Sequence, residues 1–209
     1  MKKCADCHRD LQFLLHTGRQ NGTFVIYYTV GNSQSRFALG LEDVLDFLIF
    51  SDSHGKSDAM QSVLDRQIRT PHAVFFLGDG LRDTEWLDMN GADLYDVRGN
   101  CDWFGGGDTP DERTLCFEGH KIFLTHGHAY GVKGGVGALL AHAAKMDADI
   151  ILFGHTHTPL CQTVPIGETV GGMVLTRPMY LFNPGSLGAG SFGTLTLRGE
   201  TVLFSHGTV

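Results

Sequence analysis

The sequence predicts an α/β fold in which short apolar strands alternate with amphipathic helices. Residues 47–50 (FLIF) form an uninterrupted apolar run, which is typical of a strand in a parallel sheet that is covered on both faces. Two further runs, residues 73–77 (AVFFL) and Ile150–Phe153 (IILF), have the same character. Apolar side chains recur at helical spacing between these runs, as expected of helices that connect parallel strands.

The first elements follow one another from residue 45. A helix begins at Ser57 and ends before Pro71, because proline cannot continue a helix or donate a backbone hydrogen bond. The next strand is followed by a short helical stretch around Trp86. A third strand then occupies residues 92–97 (ADLYDV).

The second half of the chain continues the alternation. Residues 113–117 and 121–124 are predicted strands around Glu118-Gly119-His120, which is typical of a hairpin turn. Short strands and a closing hairpin near Arg198-Gly199 end the chain. Between these parts lies a helix whose apolar face consists of Val136, Leu139, Leu140 and Ala143.

Length and composition fit one domain with a sizeable core, alone or with an appendage. The chain has 209 residues, of which 42% are hydrophobic, and its 28 glycines suggest many tight turns. The net charge of −7 argues against nucleic acid as a partner, because broad nucleic-acid binding needs a basic surface. A small phosphorylated substrate remains compatible, since bound metal ions can supply positive charge locally.

The sequence also predicts where in the cell the protein is located and whether its cysteines are reduced. No stretch has the length of a transmembrane helix and the N-terminus has no apolar signal core, so we expect a cytoplasmic protein with no membrane partner. The cysteines are odd in number and widely spread, which fits reduced thiols better than disulfides. They are Cys4, Cys7, Cys101, Cys116 and Cys161.

Residues 1–46 differ in pattern from residues 47–209, and we interpret them as an N-terminal extension of unknown role. The string CADCH at residues 4–8 has the spacing of a haem-attachment motif, but that chemistry needs export, and a zinc site lacks a second Cys/His pair nearby. Thr23–Val30 (TFVIYYTV) is β-branched and aromatic and therefore predicts a strand. An exposed strand here leaves a homodimer open.

Polar residues with metal-binding side chains follow each of five apolar strands. Ligands bind outside the carboxyl ends of strands in open α/β sheets, where loops bring distant residues together. Because side chains alternate along an extended chain, we expect Asp52 and His54 to project to the same side. The candidate metal ligands are Asp52, His54, Asp79, Asn100, His126, His155 and His157.

Three oxygen ligands and four imidazoles are too many for one structural zinc ion, which takes four ligands and prefers cysteine. They suit two adjacent divalent ions that share one carboxylate and clamp the oxygens of a phosphoryl displacement. Mixed imidazole and carboxylate ligation suits Mn²⁺, Fe, Zn²⁺, Co²⁺ or Ni²⁺ and does not choose among them; we expect Mn²⁺. Each cluster alone is weak evidence, since a Gly-Asp pair is usually a turn and a His-Gly-His often a surface loop.

These motifs together resemble the calcineurin-like metallophosphoesterase superfamily, in particular its small bacterial and archaeal phosphodiesterase branch, to which a retromer subunit is related. The resemblance covers residues 46–209. It implies two packed mixed β-sheets flanked by helices, a four-layer α/β/β/α sandwich. The motifs that carry it are Asp52-x-His54, Gly78-Asp79, Gly99-Asn100, His126-Gly-His128, Gly154-His155-Thr156-His157 and Asn183-Pro184-Gly185-Ser186.

The resemblance also implies a dinuclear-metal-dependent phosphodiesterase, in which a metal-bound hydroxide attacks phosphorus in line. Asn100 would both ligate a metal and bind a phosphate oxygen, Asp102 would orient a neighbouring imidazole, and Asn183 would belong to a supporting turn. The implied ligands are Asp52, His54 and His157 for the first ion, and Asn100, His126 and His155 for the second, with Asp79 between them.

One position departs from the family pattern. Many members have a histidine after Gly-Asn that is thought to protonate the leaving group, whereas this chain has Cys101. A thiol is a poor acid for an alkoxide, so we expect a preference for good leaving groups, with packing as the alternative role of Cys101. His128 is a substitute proton donor or a residue that stabilises its loop.

The sequence leaves open other functions of the protein and the positions of several side chains. A scaffold whose site has decayed is one alternative to a phosphodiesterase, but none of the seven ligand positions is missing. A phosphomonoesterase would use the same centre, and a nuclease would need a basic groove. Trp103 and Tyr130 are expected at the pocket mouth or in packing, and His72, His120 and His142 at the surface.

Overall fold

The computed structural model describes residues 16–20, 23–30, 33–37, 44–103 and 107–209. The chain forms two compact units, Met1–Asp43 and Val44–Val209. The CADCH string lies outside the described residues. The first unit contains a three-stranded antiparallel sheet of β1 (His16–Gln20), β2 (Thr23–Val30) and β3 (Ser33–Phe37), with β2 in the middle. The strand predicted at Thr23–Val30 is therefore confirmed.

The second unit contains two five-stranded mixed sheets, two helices and a small hairpin. In chain order its elements are β4 (Leu45–Phe50), α1 (Ser57–Asp65), β5 (Ala73–Phe76), β6 (Asp93–Asp96), β7 (Glu112–Phe117), β8 (His120–Thr125), α2 (Gly137–Lys145), β9 (Ile150–Phe153), β10 (Leu160–Val164), β11 (Thr169–Val170), β12 (Met173–Val174), β13 (Met179–Asn183), β14 (Ser191–Arg198) and β15 (Thr201–Thr208). Both described helices have nine residues, and no helix in the described part of the chain is long and apolar enough to cross a membrane.

The first large sheet has the strand order β15-β14-β4-β5-β6. β4, β5 and β6 are parallel, and β14 is antiparallel to both β4 and β15. The second sheet has the order β10-β13-β9-β8-β7, with β13, β9 and β8 parallel and the two edge strands antiparallel. Each sheet thus has three parallel strands whose carboxyl ends meet at one edge.

The two faces of β4 explain why residues 47–50 are all apolar, whereas Asp46 near its start is exposed. Phe47 and Ile49 point between the two sheets, where they pack with buried residues of both. Leu48 and Phe50 point to the opposite face and pack with α1 through Met60 and its neighbours. Continuous apolar sequence is therefore needed because both faces of the strand are covered.

The second sheet is covered in the same way. Phe123 and Ile151 on its outer face pack against Leu139 and Ala143 of α2, while Ile122 and Leu152 point into the core between the sheets. The order of layers is helix, sheet, sheet, helix. The predicted four-layer α/β/β/α sandwich is confirmed.

The predicted surface position of His120 is wrong. The turn between β7 and β8 is made by Glu118 and Gly119, so His120 is already the first residue of β8 and is buried. Its Nδ1 lies 2.6 Å from Oδ2 of Asp149, and its Nε2 lies 3.1 Å from the carbonyl oxygen of Gly199. The ring thus joins the second sheet to the closing hairpin of the first.

Predictions for two other histidines and for the segment around Trp86 can also be compared with the structure. His72 is exposed as predicted, and its ring packs edge-on against Phe47. His142 is half-buried, with its ring centroid 5.1 Å from that of Tyr130, so it is not a simple surface residue. The helical stretch predicted around Trp86 is a single 3-10 turn, Leu81–Thr84, that ends just before it.

Candidate metal centre

The described residues contain two groups of three side chains that could each hold a metal ion. Within each group the ligand atoms lie within 4.8 Å of one another. All six residues are among the seven candidates predicted from the sequence. The groups are Asp52, His54 and His157, and Asp79, His126 and His155.

The ligand-bearing loops have an unusual backbone conformation. Five of the six residues have positive φ angles, which non-glycine residues adopt infrequently and which cluster at functional sites. Asp52 and His54 do lie in one group, but not because side chains alternate along an extended strand, since both residues have left-handed backbone conformations. The reason expected from the sequence is therefore wrong. The φ values are 54° for Asp52, 46° for His54, 58° for Asp79, 66° for His155 and 59° for His157.

In the first group, the two carboxylate oxygens of Asp52 have different surroundings. Oδ2 accepts hydrogen bonds from Ser51 Oγ at 2.6 Å and from the backbone N–H of His155 at 3.1 Å. Oδ1 is buried and has no hydrogen-bond partner among the described residues. It lies 3.1 Å from Nε2 of His157 and 4.0 Å from Nε2 of His54. A buried oxygen without a donor fits a cation held by these three side chains.

In the second group, one hydrogen bond sets the orientation of His126. Its Nδ1 lies 2.7 Å from the carbonyl oxygen of Leu77, and because a carbonyl can only accept, Nδ1 carries the proton. Nε2 then keeps its lone pair; it is buried, has no hydrogen-bond partner among the described residues, and lies 3.3 Å from Oδ2 of Asp79. This tautomer and orientation are those of a metal-binding histidine.

In the second group, Asp79 and His126 shift each other's pKa. Burial raises the pKa of Asp79, but the neighbouring His126 and a hydrogen bond from the backbone N–H of Cys101 outweigh it and hold the pKa well below its usual range. Burial lowers the pKa of His126, and the Asp79 carboxylate outweighs it and raises the pKa. Asp79 is therefore ionised at neutral pH, as a metal ligand must be.

Asn100 supplies the seventh predicted ligand atom. Its Oδ1 is buried without a hydrogen-bond partner in the described part of the chain, while its Nδ2 donates to Sγ of Cys101 at 3.2 Å. The preceding residue must be glycine, because a Cβ on Gly99 would come within 2.2 Å of Oδ1 of Asp79. The amide oxygen is thus available to a ligand beside Asp79.

The structure corrects the role expected for Asp102. Its hydrogen bonds go to main-chain amides, and among the described residues none goes to an imidazole. Oδ2 accepts from Asp79 and Gly99, both at 2.8 Å, and Oδ1 accepts from Gly80 at 2.8 Å and Leu81 at 3.0 Å. Asp102 therefore holds the backbone of the Asp79 loop.

The Asn183-Pro184-Gly185-Ser186 turn supports two ligand loops, as predicted. Nδ2 of Asn183 donates to the carbonyl of Gly154 at 2.8 Å and to Oγ1 of Thr156 at 3.1 Å. Oγ of Ser186 donates to the carbonyl of Asp52 at 2.9 Å. The turn thereby connects the loops that carry Asp52 and His155.

Sequence reasoning missed Asp83, which holds the loop that follows β4. Its Oδ2 accepts from Oγ of Ser53 at 2.6 Å and from the backbone N–H of Gly55 at 2.8 Å. It is an isolated carboxylate on the 3-10 turn, about thirty residues away along the chain, and no spacing rule links it to Asp52. Ser51 was missed for the same reason, since its bond to Asp52 needs the folded geometry.

The two expected proton donors lie at the centre in different states. Cys101 is an exposed residue, but partial desolvation of its thiol and the nearby Asp79 carboxylate raise the pKa of the thiol, which is therefore protonated at neutral pH. Burial and the neighbouring His126 lower the pKa of His128, which keeps its imidazole neutral. The ring centroid of His128 is 5.5 Å from that of His126 and 6.1 Å from that of His155.

A cleft of about 320 Å³ opens beside the ligands. It is lined by His54, Asp79 and Cys101 together with Arg82 and Trp103. Trp103 is thus at the mouth of the site, whereas Tyr130 donates a 2.5 Å hydrogen bond from its hydroxyl to Oε1 of Glu112 and packs on Phe123. A larger cavity, about 570 Å³, contacts none of the predicted ligands.

Comparison with known proteins gives a consistent result. The model of the calcineurin-like phosphoesterase superfamily domain matches residues 45–199. The probable metallophosphoesterase YsnB of Bacillus subtilis is 31% identical over 143 residues, 68% of this chain and 75% of that protein. Phosphodiesterase YfcE of Escherichia coli is 26% identical over 171 residues, 69% of this chain and 80% of that one. A predicted phosphoesterase from Streptococcus pneumoniae has a similar structure, with a TM-score of 0.63 at 26% identity over 79% of this chain and 90% of that chain.

Proposed function

This chain belongs to the calcineurin-like phosphoesterase superfamily, and we propose that it is a phosphodiesterase that depends on two divalent metal ions. The observation that carries this proposal is a group of three buried ligand atoms that no hydrogen bond among the described residues uses. Oδ1 of Asp52, Oδ1 of Asn100 and Nε2 of His126 are all buried without hydrogen-bond partners among the described residues. A catalytically decayed scaffold would have no reason to keep three such atoms together.

The residues that would hold the ions follow from the two groups. Asp52, His54 and His157 would hold one ion, and Asn100, His126 and His155 the other, with Asp79 placed between them. Bound divalent ions would lower the pKa of a water molecule and neutralise charge on phosphoryl oxygens. We propose Mn²⁺ as the metal; the mixed imidazole and carboxylate set also suits Fe, Zn²⁺, Co²⁺ or Ni²⁺.

Hydrolysis joins the oxygen of water to phosphorus and breaks the P–O bond to the leaving group, which must leave as an anion or take a proton. Cys101 lines the cleft with a raised pKa and is a weak acid for this step. The other candidate is His128, whose Nδ1 is buried without a hydrogen-bond partner among the described residues. It would donate a proton only as the imidazolium, which its lowered pKa disfavours, and its alternative role is to stabilise its loop. We therefore propose that the enzyme acts best on esters with good leaving groups.

The Cys101→His variant tests this preference. It should accelerate hydrolysis of diesters with alkyl leaving groups by about 10²-fold or more, because a placed general acid contributes about 10²–10⁴-fold. Rates for nitrophenyl leaving groups should change little, since they leave without a proton. Equal effects on both substrates would refute the role assigned to position 101.

The remaining parts of the proposal concern the substrate, the partners and the cellular location of the enzyme. Its substrate would be a small phosphodiester, with neither membrane nor nucleic acid as a partner, and a homodimer is compatible with the strands of the first unit. A cytoplasmic location is supported by the described cysteines, Cys101, Cys116 and Cys161, which are all free thiols. A phosphomonoesterase using the same centre is the alternative.

The decisive experiment is hydrolysis of bis(p-nitrophenyl) phosphate with added Mn²⁺ and with chelator, beside the matching monoester. Turnover should require metal, favour the diester, and fall at least about 10²-fold in Asp79→Asn. Asp93→Asn, an exposed carboxylate at the start of β6, is the matched control and should retain activity. A protein that binds two ions but hydrolyses neither substrate with any of the five metals would be a scaffold instead.

A further inference from the structure

Two side chains in the cleft beside the centre have no part in holding the ligands. Arg82 and Trp103 line the same cleft as His54, Asp79 and Cys101. At about 320 Å³ the cleft lies at the small end of the range for small-molecule sites. A molecule whose phosphate meets the metal ligands would therefore place its next group against Arg82 and Trp103.

The indole of Trp103 is free to bind a ligand. Its side chain is 83% exposed, and it has no aromatic ring partner within residues 44–103 and 107–209. Tryptophan is usually largely buried, because leaving so much apolar surface in water is unfavourable. A flat aromatic face at the mouth of a polar cleft is suited to stacking on a planar ring, which is how proteins bind nucleobases without reading their sequence.

Arg82 contributes positive charge to the same place. It is exposed, and its guanidinium makes no hydrogen bond or ion pair with the described residues. Its carboxylate neighbours are already occupied: Asp83 accepts from Ser53 and Gly55, and Asp102 accepts four main-chain amides. No other lysine or arginine lines the cleft. The charge of Arg82 is thus available to an anionic ligand.

One carboxylate positions both side chains. Asp102 accepts the backbone N–H groups of Gly80 and Leu81, which directly precede Arg82. Trp103 directly follows Asp102 in the chain. The same hydrogen bonds that hold the Asp79 loop therefore hold the backbone next to Arg82 and Trp103, so both side chains extend from fixed positions near the metal ligands.

We propose that this cleft is a binding subsite for the aromatic group of the phosphoester. A nucleobase-sized ring would stack on Trp103, and Arg82 would attract the negative charge of the phosphate. The ligand class is a nucleotide rather than a sugar phosphate or an alkyl phosphate. The inference rests on the proposed phosphodiesterase function for the position of the phosphate at the metal ligands.

Trp103 itself can report whether the cleft is occupied. The chain has two tryptophans, so Trp86→Phe leaves Trp103 as the only one. This variant, saturated with Zn²⁺, is titrated with adenosine 5′-monophosphate and with ribose 5-phosphate, which has a hydroxyl group in place of the base. The nucleotide should quench Trp103 fluorescence and bind about 5- to 150-fold more tightly by calorimetry, the range expected for one stacked base. Equal affinity for the two ligands would overturn the proposal.

Three variants then assign the effect by calorimetry. Trp103→Ala should remove the preference for the nucleotide and leave ribose 5-phosphate binding unchanged. Trp86→Ala is the matched control, because Trp86 is 86% exposed and does not line the cleft; it should keep the preference. Arg82→Gln should weaken both ligands by a similar factor. Loss of the preference in Trp86→Ala as well would refute a stacking role specific to Trp103.

The same Trp86→Phe protein is assayed with bis(p-nitrophenyl) phosphate and Mn²⁺. Turnover without any preference for the nucleotide would overturn the subsite and leave the phosphodiesterase proposal standing. A preference for the nucleotide without turnover would support the subsite and count against the phosphodiesterase. The two failures are therefore distinguishable.

Discussion

Asp102→Asn is a nearly isosteric change that should nevertheless be damaging. Each carboxylate oxygen of Asp102 accepts two backbone N–H groups: Oδ2 from Asp79 and Gly99, Oδ1 from Gly80 and Leu81. An asparagine has one acceptor oxygen and one NH₂ group. Whichever way the amide is turned, its NH₂ faces two N–H donors, so two hydrogen bonds are lost and two repulsive contacts are made.

The size of the effect follows from these contacts. A hydrogen bond to a charged group contributes about 1.5–3 kcal/mol, and two of the four are lost outright. Asp102 is half-buried, so water replaces part of the loss. We expect the free energy of unfolding to fall by about 2–4 kcal/mol, which lowers Tm by about 4–16 °C for a domain of this size.

The assay is urea unfolding in the presence of chelator, which separates this effect from metal binding, followed by calorimetric titration with Mn²⁺. Affinity for the metal should fall about 10- to 100-fold, as for other residues that position metal ligands. The matched control is Asp111→Asn, which removes the exposed ion pair between Asp111 and Arg98, whose atoms lie 2.8 Å apart. This change should lower the free energy of unfolding by at most about 1 kcal/mol. If Asp102→Asn is no less stable than this control, the acceptor role of Asp102 is wrong.

Three further predictions test the centre and the core. Saturation with Mn²⁺ at about 100 times its Kd should stabilise the protein by about 2.7 kcal/mol, and chelator should reverse the rise in Tm; a Tm that does not depend on metal would contradict the centre. Gly99→Ala should weaken Mn²⁺ binding in calorimetry because its Cβ meets Oδ1 of Asp79, whereas Gly137→Ala, with open space around it, should bind normally. His120→Ala should lower the free energy of urea unfolding by about 1–3 kcal/mol, because the buried Asp149 carboxylate loses its 2.6 Å partner and keeps only the backbone N–H of Lys121 and the guanidinium of Arg177; a loss under about 0.5 kcal/mol would refute that pairing.

The features that could be predicted from the sequence are those with local patterns. Residues 47–50 of β4 and all of β9 are apolar because both faces of these segments are covered, and this property is visible in the sequence of each strand alone. The ligands could be found because each follows the carboxyl end of a strand, where ligand-binding loops of α/β folds lie. Asp79 follows β5 of the first sheet and His126 follows β8 of the second, and packing of the two sheets brings them to 3.3 Å.

The features that could not be predicted depend on contacts between distant residues. Asp83 and Asp102 accept main-chain amides, which every residue possesses, so neither the donor nor the spacing leaves a pattern in the sequence. His120 was misplaced by a shift of one residue at the hairpin turn, and such a shift exchanges the two faces of a strand. Its partner Asp149 lies on another strand connection and gave no signal either.

The left-handed backbone of the ligand loops explains why the supporting residues matter. Five ligands have positive φ angles, and each costs up to about 1–3 kcal/mol, although Asp and His tolerate this conformation better than most residues. The hydrogen bonds that offset this cost come from Asp83, Asp102 and Asn183, one for each loop, and none of them requires a metal ion. The chain therefore arranges its ligands before metal binds. Removing a support should weaken metal binding while every ligand remains, whereas Asp79→Asn alters a ligand itself and leaves the backbone of its loop held by Asp102.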